Sequence, residues 1–495
     1  MYLGLDFGTS GARACVIDNN KAVVHEQRVA YPNPYEQTPT EWRFALHTLL
    51  SAVPKDIAAG LHGIALDGTS GTVLLCDEAL EPCSPALLYS DNRAQPQAAQ
   101  LDAIAPDGST ACSATSGLAK FLWLTQQSDI KHAAYFLHQA DWLTALLSGQ
   151  PGISDYHNAL KSGYDVEHLC WPDWVMALPH SHLLPRVRVP GEVIGQIQPD
   201  IAAHFGIRPQ CAIHAGTTDS TAAFIAADGM TRRCEASDKT TSHSTRPPKD
   251  AGQVAGYGAG MPSHRLLPQS AGCAITSDLT SVVCSPSRMA SGFSSNVSEA
   301  GVNQTGIGVT TLGTTLVLKQ LSAQRIEAPE YGVYSHRYGD LWLVGGASNA
   351  GAGVLRRYFD DAQLAALSMR IDPLKHSPLD YYPLTGTGER FPVNDAQLPP
   401  RLEPRPNSDV EFLHGLLQGL AHIEMDGYAR LAGLGAPTLK RVVTNGGGAK
   451  NDSWRIMRER LLGVPVSTAS HCEAAYGSAL LCLDEFYFPR SAASN

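Results

Sequence analysis

The chain has 495 residues, 43% of them hydrophobic and 17% charged, with a net charge of −10. At roughly 150 residues per domain this is two or three domains, each with enough apolar material for a core. An acidic chain of pI about 6.0 lacks the basic balance of a nucleic-acid binder, but a nucleotide stays open as a ligand, because Mg²⁺ and backbone N–H groups can carry phosphate charge.

Met1–Asp6 has neither the basic start nor the apolar stretch of a targeting peptide and reads as a first β-strand. No apolar run is long enough for a membrane span. The expected compartment is the cytoplasm, or a plastid if residues precede Met1. The eleven cysteines form no C-x-x-C pair. They read as reduced, mostly buried thiols rather than a zinc site or a disulfide framework.

In chain order, Tyr2–Leu5 and Ala14–Asp18 are apolar strands around Asp6-Phe7-Gly8-Thr9-Ser10-Gly11. Helical spacing follows over Trp42–Val53. Gly63–Leu66 is a strand entering Asp67-Gly68-Thr69-Ser70-Gly71, and Thr72–Cys76 is the next. Asp141–Leu147 is helical, and Cys211–His214 is a strand running into Ala215-Gly216-Thr217-Thr218-Asp219. From Thr231 to Asn303 the chain is crowded with Ser, Thr, Pro and Gly, and its apolar periodicity is poor, which predicts an irregular, disordered insertion. Order resumes at Gly308–Leu318, again strand, Gly turn and strand. Leu341–Gly345 is a strand, Gly351–Phe359 opens a helix, and Val410–Leu431 is a long amphipathic helix. Arg441–Thr444 leads into Asn445-Gly446-Gly447-Gly448-Ala449-Lys450-Asn451, before helices at Ser453–Leu462 and Ala474–Phe486. A strand–Gly–strand hairpin therefore opens each half. This predicts two related α/β domains, 1–228 and 306–495, facing a central cleft and separated by the insertion at 229–305.

Four segments carry chemistry. In the first hairpin, glycines let N–H groups approach phosphate oxygens, and Asp6 at a strand end can hold a hydrated Mg²⁺. Alone, this segment reads equally as a plain turn. Leu312-Gly313-Thr314-Thr315 repeats the logic, and two such turns on facing domains can clamp a triphosphate. Three glycines at 446–448 offer a flat surface to an adenine ring. No Gly-Lys-Ser/Thr follows at P-loop spacing. Gly216–Ser220 ends a strand on a carboxylate; by spacing alone Asp219 caps the helix after it, although a carboxylate there can also accept a proton. Gly256-x-Gly258-x-Gly260 lies in the insertion after no strand and is not a dinucleotide fingerprint. Asn296-Val297-Ser298 matches a glycosylation acceptor without other signs of secretion.

Taken together, in order and spacing, these segments resemble the FGGY carbohydrate kinase family, which includes glycerol, xylulose and ribulose kinases. The resemblance covers the chain outside 231–303. Leu66–Ser70, Gln139–Leu143, Ser154–Ala159 and Gly345–Asn349 resemble the cyanobacterial and plant D-ribulose kinase branch. The insertion departs from that branch. The resemblance implies two actin-like ATPase (ribonuclease H-like) domains, with ATP and Mg²⁺ as cofactors. It implies a pentulose substrate, D-ribulose or D-xylulose, and a monomer or homodimer. Gly8, Thr9, Ser10, Gly313 and Thr314 would bind phosphates, and Gly446, Gly447, Gly448, Ala449 and Asn451 the nucleoside. Asp6 would hold the metal, while Asp67, Gly68 and Asp141 would bind the ketose. Asp219 becomes the general base. The rival readings are an actin-like structural or chaperone ATPase and an inactive sugar-binding homologue.

Overall fold

The computed structural model describes residues 1–33, 36–106, 109–127, 130–228, 283–284, 305–471 and 473–483. The expected insertion, with its Gly256–Gly260 and Asn296–Ser298 motifs, lies outside them except at 283–284, which pair in parallel with Trp171–Pro172.

The first sheet is built from β1 (Tyr2–Phe7), β2 (Gly11–Ile17), β3 (Val23–Ala30), β4 (Gly63–Gly68), β5 (Val193–Gln196), β6 (Ala212–His214) and β7 (Thr217–Thr218). Its order is β5-β6-β4-β1-β2-β3, with β7 also paired to β4. The second sheet is built from β8 (Ile307–Leu312), β9 (Leu316–Ser322), β10 (Tyr334–Tyr338), β11 (Leu341–Ser348), β12 (Arg441–Asn445) and β13 (Val466–Thr468), in the order β10-β11-β9-β8-β12-β13. Both sheets share a plan. A hairpin (β1–β2, β8–β9) has a parallel strand beside its first arm (β4, β12) and an antiparallel one beside its second (β3, β11).

The two-residue period of a strand explains why these hairpins are apolar on both faces. Leu3, Leu5, Phe7, Ala12, Ala14 and Val16 join the core of the first domain, under α1 (Pro39–Ala52). Cys15, Ile17 and Ala65 point the other way, into a core shared with Val309, Leu321, Leu343 and Val443 of the second sheet. Two helices occupy that shared core: α4 (Asp219–Asp228) and α8 (Ala474–Leu481). They approach closely because Gly477 has no side chain; a Cβ there would stand 1.9 Å from the Ala222 carbonyl oxygen. The helices α2 (Gly117–Gln127) and α3 (Gln139–Ser148) complete the first domain. The second domain adds α5 (Asp361–Ser368), α6 (Asp409–Gly433) and α7 (Asp452–Leu462). There a buried Arg458–Glu424 pair also binds Thr444 and Thr310, tying α7 and α6 to β12 and β8. Among the described residues no helix is long and apolar enough to cross a membrane.

Three expectations need correction. Gly351–Phe359 is not a helix; only a 3-10 turn at Leu355–Arg357 forms, since Gly351 and Gly353 are pressed against the Thr314 carbonyl. The last helix stops at Leu481, and the strands Val23–Ala30 and Tyr334–Tyr338 are additions to the reading. Cysteines 15, 76, 83, 112, 211 and 482 are free thiols, but Cys170 is disulfide-bonded; such a pairing depends on contacts that spacing does not encode.

Candidate active site

The parallel register of β1 and β4 sets Asp6 beside Asp67 and Phe7 beside Gly68. On the other side of β4, Thr217 is the register partner of Asp67, so Asp219 follows two residues after that pairing. Three acids thus converge at one end of three neighbouring strands. Asp6 Oδ2 accepts from Arg13 Nη1 at 2.7 Å, and Arg13 Nε reaches Glu473 at 3.1 Å. Asp67 Oδ2 accepts from Ser478 Oγ at 2.6 Å. The Oδ1 atoms of Asp6 and Asp67 are both buried without a donor among the described residues. Burial first, and then the charge of Asp6, holds Asp67 well above the usual carboxylate range. Burial also raises Asp6, against the pull of Arg13. Asp219 is pushed up to about 6, by its close surroundings and then by Asp6.

Asp219 is the first residue of α4, and its Oδ1 accepts the adjacent Ser220 N–H at 2.6 Å. That bond spends one oxygen on the next residue rather than on the second or third N–H that a helix cap takes, so Asp219 opens the helix without the expected cap, and an acid–base role stays open to it. The tip of the first hairpin is held by Gly8 N–H to Gly11 O, by Gln37 on the Thr9 carbonyl and by Tyr31 N–H on the Ser10 carbonyl. Gly68 abuts the start of α3, where a Cβ would lie 3.0 Å from Gln139 Oε1. Asp141 is buried in that first turn, and its Oδ2 is taken by the backbone and ring of His138.

The second domain carries a pocket of about 780 Å³, lined among others by Gly313, Thr314, Gly447, Gly448, Asn451 and Trp454. It unites the second hairpin with the glycine-rich segment. Gly8, Thr9 and Ser10 are not among its walls. The three glycines do three different things. Gly446 adopts φ +83° against the backbone of Leu312, Gly447 has nothing within 4 Å of a would-be Cβ, and a Cβ at Gly448 would stand 2.6 Å from the Trp454 ring. Bare backbone at Gly447 therefore faces the pocket, while Gly446 and Ala449 lie behind its wall. Asn451 caps α7 through Trp454 N–H and donates to Ser368.

Mg²⁺ takes one or two carboxylates plus phosphates and water rather than a full protein cage. The orphaned Asp6 and Asp67 oxygens fit such an ion, and they equally fit sugar hydroxyls. Among the described residues no group of three or more His, Cys, Asp or Glu could hold a metal by itself.

Several supporting residues were not singled out in the sequence. Lys120 is buried and donates to the carbonyls of Gly71 and Leu88, holding the loop after Asp67. Lys319 reaches from β9 to Ser220 and Thr221 at 3.0 and 3.2 Å. Their signal was a lysine inside an otherwise apolar run, Gly117-Leu-Ala-Lys120-Phe-Leu and Leu316-Val-Leu-Lys319-Gln-Leu. A lysine in such a place is seldom there without a partner.

Two duplicated sheets with helices packed between them define the class as the two-domain actin-like ATPase fold. Solved structures share it. A xyloylose kinase from Brucella ovis superposes with TM-score 0.71 at 22% identity, covering 98% of this chain and 91% of that one. Plasmodium falciparum glycerol kinase with ADP gives 0.69 at 14%, covering 97% and 88%. At the level of family, residues 1–226 match the FGGY family of carbohydrate kinases, N-terminal domain. Xylulose kinase of Klebsiella pneumoniae is 25% identical over 247 residues, 45% of this chain and 49% of that protein. Ribulokinase of Shouchella clausii is 25% identical over 283 residues, 46% and 50%. The chain spans about half the length of the curated relatives it matches.

Proposed function

We propose that the protein is an ATP-dependent sugar kinase that phosphorylates a pentulose, D-ribulose by the motifs that single out that branch. The observation that carries this reading is the convergence of Asp6, Asp67 and Asp219 on one strand edge, in a chain whose other domain has a pocket floored by Gly447. Asp219 accepts the proton of the terminal hydroxyl as that oxygen attacks the γ-phosphate in line. Asp67 turns its buried Oδ1, which has no donor among the described residues, to a substrate hydroxyl. Lys120 and Gln139 keep the loop at Gly68–Gly71 in place for the sugar. ATP lies over Gly447 and Gly448, with Gly313 and Thr314 at its phosphates. Mg²⁺, held by Asp6, would offset phosphate charge when bound. The domains close over both ligands and exclude water.

The test is a coupled ATP-consumption screen over D-ribulose, D-xylulose, L-ribulose, pentitols and glycerol. Ketose-dependent turnover with D-ribulose preferred is the expected result. ATP turnover indifferent to any sugar would favour a structural or chaperone ATPase and overturn the reading.

A further inference from the structure

Lys319 is one of the few buried lysines, 7% exposed, and it does not serve its own domain. It stands on β9, opposite Val309 in the hairpin register. In the first hairpin the matching place, opposite Gly4, belongs to Cys15, an apolar member of the shared core. The second sheet thus substitutes a cation where the first has a small thiol. That cation crosses the shared core and donates to the hydroxyls of Ser220 and Thr221, the two residues after Asp219. A helix N-terminus already carries partial positive charge, so an ammonium there is unfavourable unless a carboxylate offsets it. The carboxylate facing it is Asp219; burial lowers Lys319 to about 7, and Asp219 resists that fall.

The other neighbours act less directly. Lys161 disfavours the Lys319 ammonium and favours the ionised Asp219, though less than Lys319 does. His157 binds Thr217 Oγ1 and the Arg337 carbonyl and is pushed down to about 3 by burial. His336 is also held well below its ordinary value, by burial and then by Lys319. Asp6 and Asp67, from β1 and β4, act on Asp219 in the opposite sense, favouring its protonation.

We propose that Lys319 is a positioning residue for Asp219: reaching over from the second domain, it fixes the first turn of α4 and keeps the base ionised, so that the base is competent only while the two domains stand in this register. The inference rests on the reading of Asp219 as general base. It links acid–base readiness to domain arrangement, and a sugar-free, misaligned state would hold a protonated, idle Asp219.

The experiment is the pH dependence of kcat with D-ribulose and MgATP for the wild type, Lys319→Met and Lys319→Arg. Wild-type kcat falls on the acid side near pH 6, where Asp219 titrates. In Lys319→Met that limb moves up by about one pH unit, the lower part of the range for losing a nearby opposite charge. Its kcat at pH 6.5 drops about three-fold and recovers at pH 8. Lys319→Arg keeps the charge and the original limb. A Lys319→Met limb that coincides with wild type overturns the proposal. If that variant does not accumulate folded, Ser220→Ala/Thr221→Val removes the two acceptors together with the Thr218–Thr221 hydroxyl contact, and the limb should still rise; an unmoved limb overturns the proposal there too. Asp219→Asn separates the two ideas. If it keeps turning over, the base reading has failed; if it is dead and the limb stays put, only the Lys319 inference has failed.

Discussion

The two hairpins differ most where their registers correspond. In the first sheet the strand-end neighbours are Asp6 and Asp67; in the second, the same places hold Thr311 and Asn445. Gly68 corresponds in the same way to Gly446, each one step beyond. One duplicated frame therefore presents buried acid at one end and neutral amide and hydroxyl at the other. The difference divides labour. Carboxylates serve a hydroxyl that must lose its proton and a cation that needs charge. A pocket for a polyanion must not add negative charge to it.

The largest effect should come from breaking the acidic side. Asp219→Ala is expected to lower kcat by about 10²–10⁴, measured under saturating D-ribulose and MgATP. The same site links chemistry to stability. The folded value of Asp219 lies above its unfolded one, so its contribution is fully present below about pH 4 and lost as pH rises through about 6. Asp219→Asn should therefore raise the thermal midpoint at pH 8, by a stability gain of about 3 kcal/mol, and the gain should vanish near pH 4. Thermal melts at both values, beside the kcat of the same variant, check the pair of effects. A helix cap alone would give the reverse, a loss of about 1 kcal/mol.

Swapping character across the comparison comes next. Asp6→Asn should cut Mg²⁺-dependent turnover by at least about 10²-fold, while Thr311→Val, at the corresponding place, should leave kcat nearly unchanged. Asp6 is no bare surface acid; it is buried against Arg13, so Asn, which keeps the shape, is the cleaner probe. Equal losses in both variants would erase the proposed division of labour.

On the neutral side, Gly447→Val should raise the KM for ATP and spare that for ketose, because a side chain there enters open pocket. Gly448→Ala should act through stability instead, since its Cβ meets the Trp454 ring at 2.6 Å and overpacking costs about 1–3 kcal/mol. Steady-state kinetics and thermal melts of the two variants separate the roles. The smallest effect is proposed for joining Gly229 to Gln304. The Ser/Thr/Pro/Gly composition between them supplies neither hairpin nor acid, so ketose turnover should match the full chain.

Much of this frame was legible because glycines and strand-end acids have few alternative uses when they recur in order. The hairpins at Gly8 and Gly313, the strand into Asp67 and the long helix near Val410–Leu431 all follow from turn chemistry and periodicity. Asp219 was ambiguous from spacing, as a carboxylate at a helix start does the same thing locally whether or not it is catalytic. Lys319 and Ser478 were hidden because their partners lie 98–99 and 411 positions away, and no local pattern reports such contacts. The edge strand at Val23–Ala30 alternates half-buried and exposed residues, a weak signal beside its apolar neighbours.

The helix Ala474–Leu481 lies directly on β1: a Cβ at Gly4 would stand 1.9 Å from the Ala475 carbonyl oxygen. Its Ser478 completes the hydrogen bonding of Asp67. On a ribosome, Asp67 is therefore made 411 residues ahead of the serine that completes its hydrogen bonding, and the face of β1 under that helix stays uncovered through the synthesis of everything between them.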